Sequence, residues 1–262
     1  MSLSAKSVSR TLAILALAGA VTLAGCARNR VTTGSVPSHL RKPVAEMNVS
    51  ELRQATGFWA GEYRRRPKDK HTGLQFATAL RMTGRSDQAL AVMQQMAIHH
   101  PEDRQVLAAY GKAQAGVGDL DRALDTIRRA QRPDDPDWRL HSAQGAILDQ
   151  QGKPKLARVQ YRKALDLQPG EPSVLSNLGM SYLLTGDMRA AETYLRQAIN
   201  RPGADSRVRQ NLALVVGLQG RFAEAETIAK RELSPKQAEA NLKYLRAMLG
   251  QRDDWKALDK KA

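Results

Sequence analysis

Glycine recurs every thirty-four residues along this chain, at Gly84, Gly118, Gly152, Gly186 and Gly220. Alanine recurs with the same period at Ala89, Ala123, Ala157, Ala191 and Ala225, and a third series, Ala77, Gly111, Gly145, Gly179 and Ala213, is uniformly small. Three series in one register, with no insertion between copies, mean that the chain repeats a single structural unit. In the copy at 172–205, Leu175, Leu178, Gly179, Tyr182 and Leu183 fall on one helical stripe. Gly186 is placed to close that helix, because glycine takes the left-handed closing conformation without a Cβ penalty. Ala190, Ala191, Tyr194, Leu195, Ala198 and Ile199 then form the stripe of a second helix. Neither helix can bury its stripe alone, so the pairs must stack, and the small series marks where helix axes cross closely.

This period and these residue types resemble the tetratricopeptide repeat, a helix–turn–helix unit that stacks into a superhelix. The resemblance implies an all-α solenoid of five repeats over 70–239: 70–103, 104–137, 138–171, 172–205 and 206–239. A capping half-repeat is predicted at 49–69, with Ser50 as N-cap, a helix to about Arg66, and Phe58, Trp59 and Tyr63 on its buried side. A capping helix and tail are predicted at 240–262. Ser234 and Pro235 open that last helix, Leu242, Leu245, Met248 and Leu249 form its stripe, and Lys236, Lys243 and Arg246 face water. Trp255 and Leu258 are placed to fold back onto it. Gln114 stands where the repeat prefers an aromatic residue, and His141 and Gln144 occupy positions that are normally apolar. The softest packing is therefore expected where the second and third repeats meet, with His141 a partly exposed structural histidine.

The amino terminus carries a different signal. Lys6 and Arg10 precede an apolar run from Leu12 to about Leu23, which ends in Leu23-Ala24-Gly25-Cys26. Residues 1–25 read as a secretory signal. The ending resembles a bacterial lipobox, in which the Cys26 thiol takes a diacylglycerol and the chain is cut between Gly25 and Cys26. Cys26 is the chain's one cysteine, so an internal disulfide is excluded. An uncleaved anchor, or plain secretion with cleavage after Ala20, are the competing readings. The run is short and rich in Ala and Gly against the roughly 20 strongly apolar residues of a spanning helix. Ala27, with no aspartate after the cysteine, implies by the same resemblance the outer membrane as destination. Residues 26–48 hold Pro37 and Pro43 and no helical period, and read as a flexible tether spanning roughly 25 Å.

The formal charge is +15, which favours anionic partners such as lipid headgroups or acidic protein surfaces. Nucleic acid is disfavoured, because aromatic platforms and known recognition modules are missing. The run Arg64, Arg65, Arg66, Lys68 and Lys70 reads as a solvated helix end, and His99 and His100 as cations near a helix C-terminus. No metal-ligand spacing, phosphate-binding loop or nucleophile elbow occurs, and Gly116-Val117-Gly118 lacks the lysine such a loop needs. A non-enzymatic protein is expected, without metal and with no cofactor beyond the covalent lipid on Cys26.

In tetratricopeptide domains the first helix of each pair lines a concave groove that holds an extended peptide or a helix. The resemblance places Asn177 and Asn211 at a position that often bonds a ligand backbone, with Arg207 beside them. Met180, Leu184, Leu214 and Leu218 either form an apolar wall there or belong to the core between repeats. The Lys and Asn pairing that grips a C-terminal carboxylate in chaperone-binding relatives is not reproduced. Finally, RQNLALVVGLQGRFAEAE (209–226) and LSPKQAEANLKYLRAML (233–249), behind a lipobox, resemble the TadD family of the tight-adherence (Flp) pilus apparatus. That resemblance implies a periplasmic adaptor on the outer membrane that assists the secretin. A scaffold for another envelope machine, in outer-membrane protein insertion or cell-wall hydrolysis, is the alternative. The oligomeric state is left open.

Overall fold

The computed structural model describes residues 47–231 together with Val44, Glu239, Ala240, Lys243, Arg246, Ala247 and Gly250, all within the unit Lys42–Ala262. The signal sequence, Gly25, Cys26 and the tether up to Pro43 lie outside the described residues. So do Ser234, Pro235, Lys236, Leu242, Leu245, Met248, Leu249, Trp255 and Leu258.

Eleven α-helices are described, in the order α1 Val49–Arg65, α2 Lys70–Met82, α3 Ser86–His99, α4 Arg104–Gly116, α5 Leu120–Ala130 and α6 Trp138–Gln150. They continue as α7 Pro154–Leu167, α8 Pro172–Leu183, α9 Met188–Ile199, α10 Ser206–Leu218 and α11 Phe222–Ala229. After α1 they fall into the five expected pairs. Each pair closes on its periodic glycine: Gly84, Gly118, Gly152, Gly186 and Gly220 have φ of 76°, 84°, 71°, 79° and 82°. An L-residue there would be strained, which is why the series is glycine and not merely small.

The small series lies where the helices of a pair cross. A Cβ on Gly179 would stand 3.0 Å from the Ala191 carbonyl oxygen, and one on Gly111 would stand 2.6 Å from Ile127 Cγ1. Across each crossing, Ala89, Ala123, Ala157, Ala191 and Ala225 are buried. From the second repeat to the fourth the core is continuous, with Leu107, Ile127, Leu140, Leu148, Tyr161, Val174 and Leu178 in one cluster.

That cluster runs straight through the junction expected to be softest. The open turn there is braced: Arg104 donates to the Ala130 carbonyl at 3.2 Å and pairs with Asp135, and the Gln131 amide exchanges two hydrogen bonds with the Asp137 backbone. His141 is half-buried, with Nδ1 2.9 Å from Gln160 Oε1. Gln114 is the weak point: it is 4% exposed, and its Oε1 has no hydrogen-bond partner. Leu80, Leu148 and Val216 hold the equivalent core position in other repeats. Gln114→Leu is expected to stabilise the protein by about 1–2 kcal/mol, since it removes an unsatisfied buried acceptor. Urea unfolding measures this, and a loss of stability would show that Gln114 has a partner.

The expected N-cap of the first helix is corrected. Asn48, not Ser50, caps α1: its side chain accepts from the Glu51 N–H at 3.0 Å, while Glu51 Oε2 accepts from the Asn48 N–H at 2.7 Å. This reciprocal box needs an acid or amide three residues on, and Ser50 has Arg53 there. Trp59 is buried beside Phe58 and His71, and Tyr63 packs near Phe76, so the expected aromatic side of the half-repeat closes the first pair. At the other end Lys243 and Arg246 are exposed as expected, and Arg246 also lies 4.9 Å from the Phe222 ring centre.

Candidate functional site

Pair stacking makes one face concave. The first helices of successive repeats touch one another, α2 with α4, α4 with α6, α6 with α8 and α8 with α10, and the second helices do not pack to a comparable extent. The first helices therefore form the inner wall. Each is held at its start by an acid in thirty-four-residue register: Asp69, Asp103, Asp137, Glu171 and Asp205 all accept backbone N–H bonds, at 2.8 to 3.3 Å. These caps fix where each first helix begins, and so which side chains reach the groove.

The residues expected to wall the groove in the last repeats differ in exposure. Leu184 is 65% exposed and Leu214 is 37% exposed, large values for leucine, while Met180 and Leu218 are half-buried and Met180 packs on the core beneath. Asn177 and Asn211 are half-buried, and each bonds within the fold: Asn177 Nδ2 donates to Ser142 Oγ at 3.2 Å, and Asn211 Nδ2 donates to Ser176 Oγ at 3.0 Å. They stitch neighbouring first helices, which leaves each amide its carbonyl for another partner. Arg207 is exposed at the groove edge, 3.2 Å from Asp205.

In the first repeats the wall is cationic. A concavity of about 620 Å³ is bounded by Ala77, Ala108 and Ala109 and by the charged side chains of Arg81, Arg104, Lys112 and Arg139. Arg81 and Lys112 are exposed residues on the lining of this concavity. Desolvation first, and then the Arg207 charge, lowers the Arg81 guanidinium from its ordinary value. Desolvation, then Arg81, likewise draws the Lys112 ammonium below the usual lysine range, with Asp137 opposing and Arg139 adding to the effect. Arg81, Lys112, Arg139 and Arg207 thus share one field although they come from four helices. Sequence reading found Arg207 and missed the other three. The available signal was register: Lys112 occupies the position of Met180 and Leu214, and Arg139 that of Arg207.

The remaining marked residues are structural. Arg65 and Arg66 pair with Glu62, and Lys70 Nζ lies 2.8 Å from Asp103, so the basic run is largely a set of local pairs. His100 Nε2 donates to the Lys68 carbonyl at 2.8 Å, which joins the half-repeat to the first full repeat. Among the described residues no cluster of His, Cys, Asp and Glu is arranged to hold a metal ion.

Known proteins place this architecture. Residues 74–138 and 142–207 match the tetratricopeptide-repeat family model. TTC0263, a thermophilic repeat protein of Thermus thermophilus, aligns over 69% of this chain and all of its own, at 21% identity and a TM-score of 0.59. Pseudomonas aeruginosa pilF aligns over 84% of this chain and 95% of its own, at 15% identity and a TM-score of 0.51. The APC/C hetero-tetramer Cut9–Hcn1 gives a TM-score of 0.59 at 16% identity over 78% of this chain, which spans only 40% of that chain's length. At these identities the likeness is one of fold. No curated protein matches the chain significantly. The periodic glycines, the small crossings and the family match agree, and the chain belongs to the tetratricopeptide-repeat family.

Proposed function

We propose that this protein is a lipid-anchored adaptor on the periplasmic face of the outer membrane, where it serves Flp pilus assembly by helping the secretin to reach the membrane or to multimerise there. Proteins of this family act as interaction scaffolds, and the exposed groove with its apolar and cationic walls supplies the binding surface. The observation that carries the anchored reading is Cys26, the lone cysteine, closing an apolar signal run ahead of the repeats. Its acyl chains would each add about 0.8 kcal/mol of membrane affinity per buried CH₂. Anchoring then raises the local concentration of any partner held in the groove. The pilus assignment rests on 209–226 and 233–249, which resemble the corresponding segments of TadD. No catalytic step belongs to this reading.

A scaffold for outer-membrane protein insertion or for cell-wall hydrolases would share both anchor and groove, so the test must read the secretin itself. Membranes from a deletion strain, the wild type and Cys26→Ala are compared on unboiled gels, with a fatty-acid analogue reporting lipidation. The expected result is label on wild type alone, and secretin multimers lost in the deletion and in Cys26→Ala. Multimers that persist in both strains while piliation fails would move the protein to another step of pilus assembly. Surviving piliation would overturn the pilus reading.

A further inference from the structure

Several acids of this domain are already paired. Glu62 holds Arg65 and Arg66, Glu192 and Glu224 share Arg196 and Arg221, and Glu226 lies 2.7 Å from Lys230. The groove is different. The side chains of Arg81 and Lys112 have no hydrogen-bond or ion-pair partner among the described residues. Arg139 is 3.8 Å from Asp137, whose Oδ1 accepts the Arg139 backbone N–H at 2.8 Å, and Arg104 is taken by Asp135. Four cations thus face a shared concavity in which Asp137 is the one lining carboxylate among the described residues. Their mutual repulsion is relieved by an anion, and more strongly there than on an open surface because the walls exclude part of the solvent.

The lining also says what kind of anion fits. Ala77, Ala108, Ala109 and Ala113 leave width for an extended backbone, and no aromatic ring among the described residues lines the concavity to stack a nucleic-acid base. Leu184, at the end of α8, and Leu214, in α10, are exposed apolar residues on first helices of later repeats. Resting on the proposed role of the groove as the binding surface, we infer that its partner is an extended acidic protein segment, with carboxylates toward Arg81, Lys112 and Arg139 and apolar side chains toward Leu184 and Leu214.

The test uses the full chain in detergent and a fluorescein-labelled peptide of alternating Glu and Leu, followed by anisotropy. Controls are the Lys–Leu and Gln–Leu versions and a single-stranded thymidine oligonucleotide. The Glu–Leu peptide is expected to bind, to weaken as salt is raised, and to exceed the controls. Lys112→Ala should weaken it by about fivefold, and Lys112→Glu by about tenfold or more. Arg129→Glu, on a second helix away from the groove, should leave binding unchanged, and circular dichroism checks that each variant folds. Equal, salt-independent binding of the Gln–Leu peptide that is lost in Leu214→Glu would overturn the acidic specificity and keep the groove. Preference for the oligonucleotide would overturn the choice of a protein partner. Failure of every probe to bind would overturn the groove reading as well.

Discussion

Tyr161→Ala is expected to remove about 3–5 kcal/mol of stability, the cost of emptying a large buried aromatic site. Tyr161 is 1% exposed and fills the space between α6, α7 and the following repeat. Its hydroxyl donates to Asp149 Oδ2 at 2.9 Å, and Ser181 Oγ donates to Asp149 Oδ1 at 2.8 Å. One carboxylate therefore ties the third repeat to the fourth. Burial pushes the Asp149 carboxyl above its ordinary value despite both donors, so losing one of them leaves a charge that is already costly to hold. Tyr161→Phe isolates that part and should cost about 1–2 kcal/mol.

Gly145→Ala is the second large effect, and it acts through the same ring. A Cβ at 145 would lie 2.5 Å from Tyr161 Cε1 and 2.7 Å from Cδ1. The ring is enclosed and hydrogen-bonded, so relief requires the helices of the pair to part. Overpacking of this kind costs about 1–3 kcal/mol, against the roughly 1 kcal/mol that alanine gains over glycine in a helix. At Gly73 the obstructing group is the flexible Met96 side chain, and the same substitution there should cost less. The two central substitutions must also couple. In Gly145→Ala/Tyr161→Ala the new methyl enters the space the ring has left, so the double variant should be more stable than the sum of the singles by about 1–3 kcal/mol. Urea unfolding of the four proteins measures the cycle. Costs that simply add would mean that the ring is not the reason for a small residue at 145.

This pair also shows what the sequence could reveal. Glycines in a thirty-four-residue register announce left-handed closures and close crossings, because only backbone geometry requires them, and backbone geometry repeats. The same register held the acids at 69, 103, 137, 171 and 205, which went unread because side chains that cap helices look like ordinary surface charge. Asn48 was missed for Ser50 because both types cap, and only the residue three positions on separates them. That Asn177, Asn211 and Arg207 lie on first helices was legible from repeat position alone. The serine partners of Asn177 and Asn211 were not, since they depend on how neighbouring helices nest. Neither was the meeting of Arg81, Lys112 and Arg139, which stand at different repeat positions on three neighbouring first helices.

The central claim is that the concave wall is the surface through which this protein acts. The most direct measurement is the amount of secretin multimer on unboiled gels from strains carrying Lys112→Glu, Leu214→Glu or Leu156→Glu, with the membrane level of each variant matched. Leu156 is an exposed residue of a second helix, outside the groove. Both groove variants are expected to lose multimers as the deletion strain does, while Leu156→Glu keeps them. Normal multimers in both groove variants, at wild-type protein level, would contradict the claim.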